Sequence, residues 1–280
     1  MNESEWSLII RPKKSLNFNL KELVKYKDLI FLFVRRDFVS KYKQTILGPL
    51  WFIIQPLLVT FVFYVVFGRI ANISTDGMPH LLFYMSAYIP WTYFASCLAN
   101  TSKTFVTNAV IFGKVYFPRL VVPISTVISN LITFFIQFLM FLGFLLYFWL
   151  NGTPIVFNNY TLILPFLLIL LAAAGLGFGL IISSLTTKYR DLTQLVTFGI
   201  QIWMYVTPVI YPMASVSENY RDLVLLNPLG PIIESFRYAL LGMGYHSLIH
   251  LLYSTVVVFI VLIVGILIFN RVERTFMDTV

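Results

Sequence analysis

Six times between Gly48 and Phe269 the chain runs through about twenty apolar residues without the period-two alternation of a strand. A stretch of that length spans a hydrocarbon core roughly 30 Å thick. The runs are Gly48 to Phe67, Leu81 to Ala99, Leu120 to Leu150, Leu162 to Leu185, Leu192 to Ile210 and Leu248 to Phe269. A chain that is only 11% charged falls well short of the about 25% that covers a soluble domain. In lipid every backbone polar group needs an internal partner, which leaves helices or a closed barrel. Barrel strands alternate over about ten residues, and these runs do not. The expected fold is therefore an all-α membrane protein with six transmembrane helices. Ser86, Pro90, Thr92 and Ser96 make the second run the least apolar, and the third is long enough to tilt or project.

Charge placement orients the runs. Seventeen of the 20 Lys and Arg precede the first run, or follow the second, fourth and sixth; the alternate segments hold only Arg69, Arg221 and Arg237. Cytoplasmic segments carry the basic excess, so both termini are expected inside. The net charge of +8 then reads as an orientation signal and not as a nucleic-acid footprint. Met1 to Leu47 lacks the compact apolar stretch and cleavage site of a secretory signal, and is expected to be retained.

Two segments are neither loops nor spans. Asn19 to Gln44 opens with a capping-box-like Asn19 and Glu22. Leu20, Leu23, Val24, Phe31, Val34 and Phe38 then recur at helical spacing among basic residues. The pattern predicts an amphipathic helix lying in the membrane interface. Leu223 to Gly244 is apolar but holds Pro228, Pro231, Glu234 and Arg237. Buried charges are costly in a membrane unless paired, and Glu234 and Arg237 are three apart, as helix neighbours are. A broken, re-entrant helical hairpin on the outer side fits better than a seventh span, which would place Arg271 and Arg274 outside. The expected organisation is a cytoplasmic segment over 1–47, a transmembrane domain over 48–270 and a cytoplasmic tail over 271–280.

Catalytic chemistry has few carriers. There is no Gly-x-x-x-x-Gly-Lys-Ser/Thr run, so no phosphate-binding loop. Gly175 and Gly179 form a Gly-x-x-x-Gly pair, which reads as a helix-packing face. His246 and His250 are four apart, as metal ligands on a helix are, but no Cys, Asp or Glu in that stretch completes a set. The single cysteine, Cys97, reads as a small packing residue. No metal site and no catalytic residue is expected.

Aromatic residues make up 17% of the chain, many near run ends. Most suit an interfacial belt, yet aromatic faces also stack on sugars without demanding one hydrogen-bond pattern. Candidates for a substrate path are Trp51, Tyr84, Tyr88, Trp91, Tyr93, Phe94, Trp203 and Tyr205; Trp91 and Tyr93 follow Pro90 in the least apolar run.

Several short motifs occur in order. They are Tyr42-Lys43-Gln44-Thr45, Leu47-Gly48-Pro49-Leu50-Trp51 with Gln55-Pro56, Pro90-Trp91 with Phe94, and Phe117-Pro118-Arg119 with Pro123. Tyr189-Arg190-Asp191, Pro208-Val209-Ile210-Tyr211-Pro212 and Leu226-Asn227-Pro228 follow. In that order and spacing the chain resembles the permease subunits of ATP-binding-cassette exporters for bacterial polysaccharides, the group serving O-antigen, teichoic acid and capsule. The resemblance implies an inner-membrane conduit of two copies of the chain, driven by two separately encoded ATPase subunits that bind ATP and Mg. The chain itself carries no cofactor. The implied cargo is a lipid-linked polysaccharide, with membrane lipids as the other partner and no nucleic acid. The resemblance also implies a cytoplasmic ATPase-coupling helix over Thr107, Val110, Phe112, Lys114, Tyr116 and Phe117. It further implies a lipid-pyrophosphate contact at Arg35, Arg36, Lys41 and Lys43, and an outer gate around Asn227, Pro228, Glu234 and Arg237.

Other classes remain open on the residues alone: a permease for a drug or small lipid, a self-powered secondary transporter, or a membrane transferase acting on lipid-linked sugars. The last two need buried ionisable or catalytic residues on the spans, and these runs are nearly empty of them.

Overall fold

The computed structural model describes residues 20–275 apart from residues 44, 76, 156–157, 188 and 190. Among the described residues all regular structure is helical. The helices are α1 (Leu20–Lys25), α2 (Lys27–Tyr42), α3 (Trp51–Phe63), α4 (His80–Thr101), α5 (Thr104–Lys114), α6 (Val121–Leu150), α7 (Leu164–Thr186), α8 (Leu192–Val206), α9 (Glu218–Leu226), α10 (Leu229–Leu241) and α11 (Leu248–Thr275). Among the described residues, four helical segments are long and apolar enough to cross a membrane: Gly48–Ile70, Val121–Leu150, Asn159–Thr186 and Leu248–Glu273.

The other two expected spans differ. The second, α4, runs unbroken through Pro90 for 22 residues but is less apolar. It is sheathed by α3, α6, α7 and α10, so its polar groups meet protein and not lipid. The fifth, α8, is apolar but stops at Val206 after 15 residues. Thr207 and Val209 continue in non-helical backbone toward Pro212, because the proline-rich run Pro208 to Pro212 denies the helix its amide donors.

Glycines set the closest approaches. A β-carbon on Gly175 would lie 2.6 Å from Cys97 Cβ, and one on Gly179 would lie 2.5 Å from Thr101 Cβ. Both face α4, so the Gly-x-x-x-Gly pair is a packing face and Cys97 its small counterpart. Gly177, on the opposite side of α7, abuts the backbone of Leu262, and a β-carbon on Gly265 would come within 2.5 Å of the Gly177 carbonyl oxygen. Where lipid supplies no hydrophobic drive between helices, such backbone contact supplies the dispersion that holds them.

The core has two parts. The larger surrounds α4 and takes in α7, α10 and parts of α3, α6 and α11. The smaller lies at the end where α2, α5 and the Phe117–Val122 segment meet the last turns of α7 and α11; Phe33, Phe105, Phe112, Phe117 and Phe269 fill it. Phe105 stacks on Phe269 at 4.5 Å between ring centroids.

The expected amphipathic helix is split at Tyr26 into α1 and α2, and Asn19 lies outside the described residues. Its packed face also differs. Phe33 and Val34 are buried, whereas Val24 and Phe31 are about two-thirds exposed. Heptad-like spacing marked an apolar face, but α2 is apolar over more of its circumference than one neighbour covers.

Candidate functional site

At one end of the molecule, α10 ties four segments together. Arg237 is the largest fully buried side chain in the structure, and Glu234 is equally enclosed. They pair on one helix face, as their spacing of three residues predicts. The guanidinium also donates to the carbonyl oxygens of Pro208 at 2.9 Å and Val209 at 3.2 Å, and lies 4.1 Å over the Phe83 ring of α4. The second Glu234 oxygen accepts from the Tyr245 amide at 2.9 Å. A buried ion pair repays its desolvation only when its remaining donors and acceptors are met; here two backbone carbonyls, an amide and an aromatic face meet all but the guanidinium Nε.

The helix break at Asn227 is fixed in the same way. Asn227 Oδ1 accepts from Trp203 Nε1 at 3.0 Å and from the Leu229 amide at 3.2 Å, while Nδ2 donates to Thr207 Oγ1 at 2.8 Å. One side chain thus caps α10 and anchors the end of α8. Gly230 passes so near the Val224 carbonyl that an added β-carbon would stand 3.1 Å from it. The four expected gate residues therefore do come together: Pro228 opens the turn, Asn227 pins it, and Glu234 and Arg237 bind α10 to the unwound end of α8. Beside them His246 stacks on Tyr238 at 4.9 Å and meets Tyr160 edge-on at 4.4 Å. Its burial pushes the imidazole below the ordinary histidine value.

At the other end, α5 divides sharply. Phe105, Asn108 and Phe112 are buried, and Phe117 follows them into the smaller core. Thr107, Val110, Lys114 and Tyr116 are exposed, Val110 by 69% and Tyr116 by 77%. Arg119 locks this segment to the end of α11: its amide donates to Glu273 Oε1, its guanidinium to the Glu273 carbonyl, and its head lies 5.5 Å over Phe112. Sequence reading held Arg119 only as part of a motif and missed its link to Glu273, 154 residues away.

Of the expected path aromatics, Tyr84, Tyr88, Trp91, Tyr93 and Phe94 are buried in the larger core. Within one chain they are packing residues, because α4 is enclosed on all sides. Trp203 is partly buried, held by Asn227 and by edge-on contacts with Phe94 and Phe178. Trp51 and Tyr205 are exposed. Trp51 shares its face of α3 with the exposed Gln55, and Tyr205 shares one face of α8 with the exposed Gln194, Thr197 and Gln201.

Of the expected headgroup contacts, Arg35 and Lys43 are exposed. Arg36 pairs with Asp37 at 2.8 Å and lies 4.6 Å over Phe33. The Lys41 side chain, Gln44 and Arg190 lie outside the described part of the structure.

Comparison with known proteins places this architecture. The family model described as ABC-2 type transporter matches residues 28–241. An O-antigen export system permease protein, RfbA, of Klebsiella pneumoniae is 30% identical over 259 residues, covering 90% of this chain and 94% of the relative. The polysialic acid transport protein KpsM of Escherichia coli is 22% identical, covering 87% and 93%. The capsule polysaccharide export inner-membrane protein CtrC of Neisseria meningitidis is 24% identical, covering 80% and 83%.

Proposed function

From the premise that this chain belongs to the ABC-2 type transporter family, we propose that it is the membrane-spanning subunit of an ATP-driven exporter that moves lipid-linked, O-antigen-like polysaccharide across the bacterial inner membrane. The observation that carries this reading is the near-full-length match to O-antigen export permeases. Capsule exporters match less closely, so a capsule-type glycan is the second reading of the cargo.

In this proposal six helices cross the membrane. Supporting α4 as a span, its 22 residues rise roughly 33 Å at about 1.5 Å per residue. Supporting α8, its 15 helical residues are extended by the unwound stretch to Ile210. The α9–α10 pair, broken at Asn227, re-enters the outer leaflet, and both termini face the cytoplasm in keeping with the basic excess.

Two copies of the chain form the conduit. Gln55 on α3 and Gln194, Thr197 and Gln201 on α8 are exposed polar groups on membrane helices. Polar groups facing lipid are expensive, so these faces suit a second copy and an aqueous path, with Trp51 and Tyr205 as its sugar-stacking rings. The polar stripe on α8 recurs at three, four and four residues, the period of one helix face.

Energy comes from a separate pair of ATPase subunits that bind ATP and Mg. The exposed face of α5, with Val110 and Lys114, and Tyr116 just beyond its end, is their docking surface. Behind it the aromatic cluster of Phe105, Phe112, Phe117 and Phe269 joins α5 rigidly to α2, α7 and α11. Nucleotide shifts the conduit only if it favours one of its two states; a close-packed cluster transmits the shift because it does not compress.

The test is genetic and biochemical. Cells lacking the chain should lose surface polysaccharide and regain it on complementation, and the chain should co-purify with an ATPase. A chain that exports without any ATPase partner sinks the proposal.

A further inference from the structure

Between α2, the end of α4, α5 and the start of α6 lies a cleft of ≈ 220 Å³ whose lining includes only one apolar residue, Val122. In a chain that is 59% hydrophobic, such a concentration of amides, hydroxyls and charges stands out. It sits directly above the smaller aromatic core. We propose that this cleft receives the phosphate-bearing sugar head of the exported lipid before it enters the conduit; the inference rests on the function proposed above.

Charge comes first. Two cations, Arg36 and Lys103, and one carboxylate, Asp37, line the cleft. Arg36 is held at the rim by Asp37 through Nε at 2.9 Å and Nη2 at 2.8 Å. The Lys103 ammonium pairs with no carboxylate among the described residues. One net positive charge remains to attract an anion, and lysine serves phosphate as a point charge.

Uncharged groups are next. Asn130 is 3% exposed and Asn108 7%. The Asn100 amide donates to Asn130 Oδ1 at 3.4 Å, and Asn130 Nδ2 reaches Cys97 Sγ at 3.8 Å. The Ser129 hydroxyl is buried without a hydrogen-bond partner. A buried hydroxyl left so is costly, and hydroxyl-rich sugar offers it both a donor and an acceptor. Thr126, Asn130 and Gln137 recur at four and seven residues, so the polar face of α6 continues upward to the Thr92–Gln137 contact at 3.4 Å. The recess is smaller than the about 300–1,000 Å³ of a drug-sized pocket, which suits one head group and not a polymer.

A phosphate could reach the cleft on a prenyl diphosphate sugar or on a bulk phospholipid, and the experiment separates them. The full-length chain is placed in phosphatidylcholine nanodiscs and titrated with a farnesyl diphosphate-linked hexose, then with phosphatidylglycerol as competitor. The prenyl sugar should bind, and phosphatidylglycerol should displace it poorly. Lys103→Gln and the isosteric Asn130→Asp should each weaken binding roughly tenfold, the worth of one charge-assisted hydrogen bond, with melting temperature as the folding control. Should Asn130→Asp unfold, Thr126→Val takes its place. Equal binding by parent and variants overturns the assignment, and so does one-for-one displacement by phosphatidylglycerol. In cells, variants that restore surface polysaccharide as fully as the parent sink the cleft alone, whereas a parent that restores none sinks the proposed function.

Discussion

Arg237 on α10 donates to the carbonyl oxygen of Pro208, 29 residues earlier, at 2.9 Å while paired to Glu234. The proline-rich stretch cannot satisfy its own carbonyls helically, so the arginine holds a segment that would otherwise be unbound.

Charge reversal there should be severe. Arg237→Glu leaves two buried carboxylates facing each other and is expected to cost about 3–5 kcal/mol. Swapping the pair, with Glu234→Arg added, restores charge balance but leaves Pro208 and Val209 without their donor. Rescue should be partial in both thermal denaturation and export. Full rescue would mean the carbonyl bonds carry nothing.

Gly265→Ala places a methyl group 2.5 Å from backbone on α7. Neither backbone can yield as a flexible side chain does, so a loss of about 1–3 kcal/mol is expected. Thr197→Trp, at an exposed position on the polar face of α8, should leave single-chain stability unchanged while weakening association of two copies. Disulfide trapping of Gln201→Cys in a Cys97→Ala background reads that face directly; no cross-link would place the second copy elsewhere.

The two faces of α5 should separate by assay. Val110→Asp should abolish ATPase co-purification with the melting temperature retained. Phe112→Ala should cost about 3–5 kcal/mol of stability through the cavity it leaves. If Val110→Asp still binds the ATPase, α5 is not the docking surface.

Acid should loosen the His246 stack. Burial holds its folded pKa below the ordinary histidine value of about 6.5, so the unfolded chain binds the proton more readily. Stability from this group is complete above 6.5 and is lost as pH falls through that value toward the folded pKa. His246→Phe keeps an aromatic ring against Tyr238 and removes the titration. Melting curves between roughly pH 7.5 and 5 should therefore fall less for the variant; identical slopes would assign the acid sensitivity to another group.

Some of this architecture was written in short stretches of residues. The pairing of Glu234 with Arg237 follows from helical spacing, and the role of Gly175 and Gly179 from their interval. The break at Asn227-Pro228 follows from proline. The face of α2 that packs did not, because Phe31 and Phe33 are equally apolar and only the Phe117 ring, 5.7 Å from Phe33, decides between them. The path aromatics divide for the same reason: Tyr84 and Trp91 look like Trp51 in sequence, but α4 is wrapped by four helices and α3 is not.

Helical class, candidate span positions and orientation signal were determined by the sequence alone, since run length and basic asymmetry are one-dimensional quantities that solvent and bilayer read directly. Tertiary structure decided which polar groups meet: Arg119 with Glu273, Asn100 with Asn130, Asn227 with Trp203. In lipid the outside of a helix is as apolar as the inside, so periodicity carries no mark of which face is covered. Only the neighbours brought in from distant segments supply it.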